Sequence, residues 1–186
     1  MIRDLEIEKE LSEIIPGWII LIEVLAEDSL NAEISVMKTL TTRGYSGVVL
    51  ASSRPSSTMA AIYQKSGIVT SSISFVDCVS KAQAPDMKDS ASVIYLDTVS
   101  DLTDISISIH SRLQALSGER FVMLDSLPTM LIHNKPDAFV RFMHAMFTKL
   151  RLTGAVGIMI STPLSQEHDV RAEIVQLCDQ VIKRGA

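Results

Sequence analysis

No apolar run in this chain approaches the roughly 20 residues that a membrane-spanning helix needs, even though hydrophobic residues make up 47% of its 186 positions. A transmembrane segment is therefore not expected. The opening Met1-Ile2-Arg3-Asp4-Leu5-Glu6 carries acids and lacks a basic stretch leading into an apolar one, so it does not read as a signal peptide, and a cytoplasmic location is the expectation. Cysteine is scarce: Cys78 and Cys178 each sit in an apolar context without metal-ligand spacing, which favours buried free thiols over a disulfide. Basic residues are in the minority, 17 against 22 acids, for a net charge of −5. A nucleic-acid surface needs clustered Lys and Arg to displace counterions from phosphates, so nucleic acid is not an expected partner. The four histidines, His110, His133, His144 and His168, share no metal-type spacing, and no metal site is expected.

What the chain does have is alternation between apolar, β-branched runs and amphipathic stretches of helical length. That pattern predicts an α/β fold: a mostly parallel sheet with helices on both faces, a three-layer αβα arrangement. Strands are expected at Trp18 to Leu25, Ser46 to Ala51, Ile73 to Asp77, Val93 to Asp97, Phe121 to Asp125, Ala155 to Ser161 and Gln180 to Lys183. Most are continuously apolar, as strands buried on both faces are. Helices are expected at Ile2 to Ile15, Asn31 to Arg43, Ser56 to Ser66, Asp101 to Ser117, Pro136 to Arg151 and Ser165 to Cys178. The length fits one domain, residues 1–186, with an N-terminal helix in 1–16 and a core in 17–186. Ile105-Ser106-Ile107-Ser108-Ile109 alternates like a strand, but Leu102, Ile105, Ile109, Leu113 and Leu116 recur at helical spacing, and the longer pattern predicts helix. The stripe Phe139, Phe142, Met143, Met146, Phe147, Leu150 reads as core, its width leaving a partner surface open.

The first strand and the helix after it frame eight residues, Val24 to Asn31, where a nucleotide-binding protein of this layout carries GxxxxGK[ST]. In that motif glycines let backbone N–H groups wrap the phosphates, while Lys and Ser/Thr supply charge and a magnesium ligand. Here Val24 and Ser29 stand at the two glycine positions, Leu30 at the lysine and Asn31 at the Ser/Thr. Glu27 and Asp28 would bring carboxylates towards a polyanion, and a like-charge pair at about 4 Å costs roughly 1 kcal/mol in water and about 4 kcal/mol at a surface-like dielectric. No nucleotide is expected at this loop; ATP with magnesium is the cofactor its framework would otherwise take.

From Trp18 through Arg184 the chain resembles the RecA-like branch of the P-loop ATPases, and within it the KaiC-like proteins common in archaea. Ala51-Ser52-Ser53-Arg54-Pro55 is similar to the segment where that family places a glutamate that orients the attacking water; serines stand there instead. Ile73-Ser74-Phe75-Val76-Asp77-Cys78-Val79-Ser80 resembles its third-strand segment, and Phe121-Val122-Met123-Leu124-Asp125-Ser126-Leu127 its Walker B strand. Gly157-Ile158-Met159-Ile160-Ser161-Thr162, followed by Cys178-Asp179-Gln180-Val181-Ile182, is similar to its closing strands. The resemblance implies a RecA-like core. With the motif lysine, Ser/Thr and glutamate all replaced, it also implies a catalytically inactive relative.

Three functions remain open at this stage. The first is an inactive, regulatory or scaffolding subunit, with signal transduction as one setting, whose protein partner is another copy of itself or an active relative. The second is a sensor of a nucleotide or small ligand in a rebuilt pocket formed by Asp125, Ser126 and the His133-Asn134-Lys135 segment. The third is an accessory factor in DNA recombination, against which the acidic balance counts. Asp125 alone offers magnesium one carboxylate and reads as a retained strand-end aspartate. Ser126 has no evident base to make it a nucleophile. Arg141, Lys149 and Arg151 read as a solvated face, and Asp101 as a helix start.

Overall fold

A computed structural model describes residues 7–162 and 168–185. Seven strands, β1 (Ile19–Glu23), β2 (Ser46–Ala51), β3 (Ile73–Asp77), β4 (Val93–Tyr95), β5 (Arg120–Asp125), β6 (Val156–Ser161) and β7 (Gln180–Lys183), form one sheet in the order β4-β3-β2-β5-β6-β1-β7. Every neighbouring pair is parallel. The helices are α1 (Ser29–Thr42), α2 (Ser56–Lys65), α3 (Leu102–Ala115), α4 (Leu127–His133), α5 (Pro136–Thr153) and α6 (His168–Leu177).

The strands are apolar throughout because each supplies both faces of the sheet. Side chains alternate along a strand: Ile19 and Leu21 of β1 pack with α3, α4, α5 and α6, whereas Ile20 and Ile22 pack with α1, α2 and the N-terminal segment. The same split divides Val122 and Leu124 from Phe121 and Met123 on β5. Three layers and two cores result, a RecA-like αβα architecture.

The α5 stripe Phe139, Phe142, Met143, Met146, Phe147 and Leu150 is buried throughout, so its breadth serves the core, and the helix stops at Gly154 in the left-handed conformation. Residues 105–109 are helical, and Asp101 caps α3 by accepting the Asp104 N–H. Both cysteines are free, Cys78 buried and Cys178 half-buried. Close packing shows at Gly47, where an added Cβ would land on the Phe121 ring.

Several elements differ from expectation. The stretch between the Asp125 strand and Pro136, expected as loop, contains α4, whose Leu127, Met130 and Leu131 are buried at helical spacing and whose Pro128 suits a first turn. β4 spans three residues and ends at Tyr95, and β1 ends at Glu23 with α1 starting at Ser29. Of the helix expected at Ile2 to Ile15, residues 7–10 are helical and Leu11–Glu13 form a 3-10 turn, while 1–6 lie outside the described residues. The start expected for the last helix, at Ser165, also lies outside them.

Candidate functional site

A wholly parallel sheet collects the ends of its strands along one rim. Ala51, the last residue of β2, lies in register with Asp77 on one side and Asp125 on the other. The segment leaving β2, Ser52-Ser53-Arg54, therefore emerges between two aspartates. Ser52 N–H donates to the Asp125 carbonyl at 3.1 Å, and Ser53 Oγ donates to Asp125 Oδ2 at 2.8 Å.

Arg54 is the hub. Its Nη2 lies 3.1 Å from Asp125 Oδ2 and 2.5 Å from Glu33 Oε2, and its side chain is 28% exposed against 1% for Glu33. Glu33 arrives on the inward face of α1 beside Ala32, Val36 and Met37, and its second oxygen accepts the Tyr63 hydroxyl from α2. Burial, with the like charge of Asp125, pushes the Glu33 carboxyl up to about 7, while the Tyr63 hydrogen bond and Arg54 pull the other way. Burial and the Glu33 charge also push the Tyr63 phenol up. Burial works against the Arg54 charge, but Glu33 and Asp125 outweigh it and hold the guanidinium protonated. The cation thus ties the exit of β2 to α1 and β5, and Glu33 extends the link to α2.

Asp77 organises the neighbouring position. It is fully buried, and its Oδ2 accepts Ser56 N–H and Ser80 Oγ–H, both at 2.7 Å, while Oδ1 accepts the N–H groups of Val79 and Ser80 at 2.9 Å. Burial alone would raise this carboxyl; donation from Ser56, Ser80 and Val79 lowers it instead. An ionised Asp77 fixes the start of α2, the helix that carries Tyr63 to Glu33. On the far side of the rim, Glu23 at the end of β1 receives both Nε (2.5 Å) and Nη2 (2.6 Å) of Arg171 from α6.

The eight-residue loop takes its own course. Val24 is buried and donates to the Ser161 carbonyl at 3.0 Å, and Ala26–Asp28 form a 3-10 turn in which Asp28 N–H returns to the Leu25 carbonyl. Leu25, Asp28 and Ser29 have φ of −63°, −95° and −56°, and the loop holds none of the positive-φ residues that shape a phosphate nest. Glu27 and Asn31 are exposed, and Asp28, Ser29 and Leu30 half-exposed.

Of the remaining sequence candidates, Asp125 and Ser126 come together with Ser52 and Ser53. Ser126 precedes the first turn of α4 without a side-chain capping bond, its N–H donates to Ser52 Oγ at 3.0 Å, and the Asp125–Ser126 peptide is cis. His133 is exposed at the other end of α4, one seven-residue helix away, and its carbonyl accepts the Ser100 hydroxyl. Among the described residues no group of His, Cys, Asp and Glu is arranged to hold a metal ion.

Glu33, Arg54 and Tyr63 were not singled out from the sequence. Glu33 did leave a signal: with Val36, Met37 and Leu40 it occupies i, i+3, i+4 and i+7, placing an acid on a helix face that must be buried. Arg54, in an irregular segment, left none.

Solved structures with this fold include an uncharacterised protein of Pyrococcus horikoshii in complex with an unknown peptide, at a TM-score of 0.69 and 14% identity over 98% of this chain and 83% of that one. The flagellar accessory protein FlaH of Methanocaldococcus jannaschii aligns at 0.65 and 12% over 96% and 76%, and a KaiC-like protein of P. horikoshii at 0.64 and 12% over 90% and 71%. One of these neighbours is a KaiC-like protein by name, and at these identities the likeness concerns the RecA-like fold alone. No curated protein matches the chain significantly in sequence. One family model matches residues 35–183, most of the chain and nearly all of the sheet, and by that match the protein belongs to a family of unknown function, DUF7504.

Proposed function

We propose that this protein is a KaiC-like pseudo-ATPase domain that serves as a regulatory or scaffolding subunit, binding a protein partner, either another copy of itself or an active relative. The observation that carries this reading is Arg54 strung between Glu33 and Asp125. A magnesium nucleotide needs cations and N–H groups turned towards its phosphates and a carboxylate available to the metal's water shell. Here the central cation is turned inward onto two carboxylates, the Asp125 Oδ2 already takes Ser53 and Arg54, and the loop offers Glu27 and Asp28 where positive charge is required.

An interaction role is supported by what surrounds that clamp: a complete RecA-like sheet with its strand-end rim tied together by side chains. Among the fold neighbours, one is an accessory protein and another was solved with a peptide.

The test is thermal denaturation with and without ATP and magnesium. A ligand present at 100 times its dissociation constant adds about 2.7 kcal/mol of stability, which for a domain of this size raises the melting temperature by roughly 5–10 °C. No shift at millimolar nucleotide is expected; a clear shift, or turnover that Asp125→Ala removes, overturns the proposal.

A further inference from the structure

α3 and α5 pack against each other on one face of the sheet, and a groove of about 440 Å³ runs between their outer surfaces. Leu102 and Ile107 of α3 and Phe142 of α5 give it an apolar lining, and Ala138 and Ala145, one on either side of Phe142, keep the α5 wall low. Ile107 is 60% exposed, whereas Ile105 and Ile109 of the same helix are buried. Ile107 therefore contributes open apolar surface to the groove.

Charge gives the groove its sign. The charged side chains lining it are Arg141 and Lys149, with no carboxylate among them, in a chain whose net charge is −5. Lys149 Nζ donates to Ser106 Oγ at 3.1 Å, and among the described residues neither cation pairs with an acid.

We propose that this groove docks an acid-bearing amphipathic helix of a partner protein. The proposal rests on the interaction role above and gives it a surface. Arg141 and Lys149 are eight residues apart on one helix, about 12 Å along its axis. Carboxylates two turns apart on the incoming helix reach both cations, and apolar residues three or four positions inside each acid meet Leu102 and Ile107.

The experiment uses the full chain and a labelled synthetic helical peptide with two Glu seven residues apart and Leu between them, beside a counterpart with Lys in place of both Glu. Fluorescence anisotropy should show saturable binding of the acidic probe that weakens as salt rises. The double variant Arg141→Glu/Lys149→Glu should bind it at least ~tenfold more weakly and take the basic probe instead. Ile107→Asp should bind neither. All three positions are exposed, so the variants should keep the wild-type denaturation midpoint. Equal binding of the two probes, absence of binding, or indifference to the charge reversal overturns the proposal. So does a chain that self-associates through this face, its dimer dissolved by Ile107→Asp. Failure here without a shift by ATP leaves the pseudo-ATPase reading in place; probe binding together with such a shift keeps the groove and removes that reading.

Discussion

Arg54 Nη2 sits 2.5 Å from Glu33 Oε2, tying the first helix of the fold to the exit of β2. Removing one member of a buried pair leaves the other charge uncompensated, typically at about 3–5 kcal/mol. Arg54 is partly open to solvent, so Arg54→Leu should cost about 2–3 kcal/mol, measured by urea unfolding at pH 8. Adding Glu33→Gln should recover part of that loss, because the acid no longer needs a cation. A double variant that loses the sum of the two single effects would separate the residues.

The pH dependence of this pair has a definite sign. With the Glu33 carboxyl pushed up to about 7 from an ordinary 4.5, the folded protein holds a proton between those values that the unfolded chain has released. This group's contribution is therefore fully present below about pH 4.5 and is lost as pH rises through about 7. The stability advantage of wild type over Glu33→Gln should shrink across that window. Parallel stability–pH curves for the two proteins would show that Glu33 titrates normally.

Asp77 has the opposite sign. Its lowered carboxyl contributes stability that is present above the ordinary carboxylate range and is lost as pH falls through its folded value. Asp77→Ala strips acceptors from three N–H groups and one hydroxyl, and at the strength of hydrogen bonds to charged groups the cost should be about 3 kcal/mol or more. Hydrogen exchange should show the first turn of α2 opening locally. Unchanged protection at Ser56 and Ser80 would remove Asp77 from its organising role.

Gly47→Ala should destabilise by about 2 kcal/mol or more, since its Cβ lands on the buried Phe121 ring and crowding of a packed core costs on that scale. In the background Phe121→Leu, which leaves room at the ring edge, the same substitution should cost less. Equal costs in the two backgrounds would contradict the close approach of β2 and β5.

The sheet was legible in the sequence because a strand buried on both faces has to be apolar along its length, as Ile19 to Ile22 and Val122 to Leu124 are. The short helix α4 was missed although Leu127, Met130 and Leu131 mark its buried face, because seven residues are too few for a periodicity to stand out beside Pro128. The site was half legible. Asp125 and Ser126 end an obvious strand, and the altered loop is plain from its letters. Arg54 finds its carboxylates 21 and 71 positions away in the chain: the register of β2 beside β5 brings it to Asp125, and the packing of α1 against the sheet brings Glu33.

The most direct test of the account is a calorimetric titration of magnesium ATP into two proteins: the wild type, and a version in which Val24 to Asn31 is rewritten as a glycine-rich loop with Lys at position 30 and Thr at position 31, combined with Arg54→Ala. The strand before the loop and the helix after it are in place, so the grafted N–H groups would face phosphate at a helix N-terminus. Hydrolysis should remain absent, as Ser52 and Ser53 provide no carboxylate to orient water. The account predicts no heat of binding for the wild type and measurable affinity for the graft; micromolar binding of magnesium ATP by the unmodified protein would contradict it.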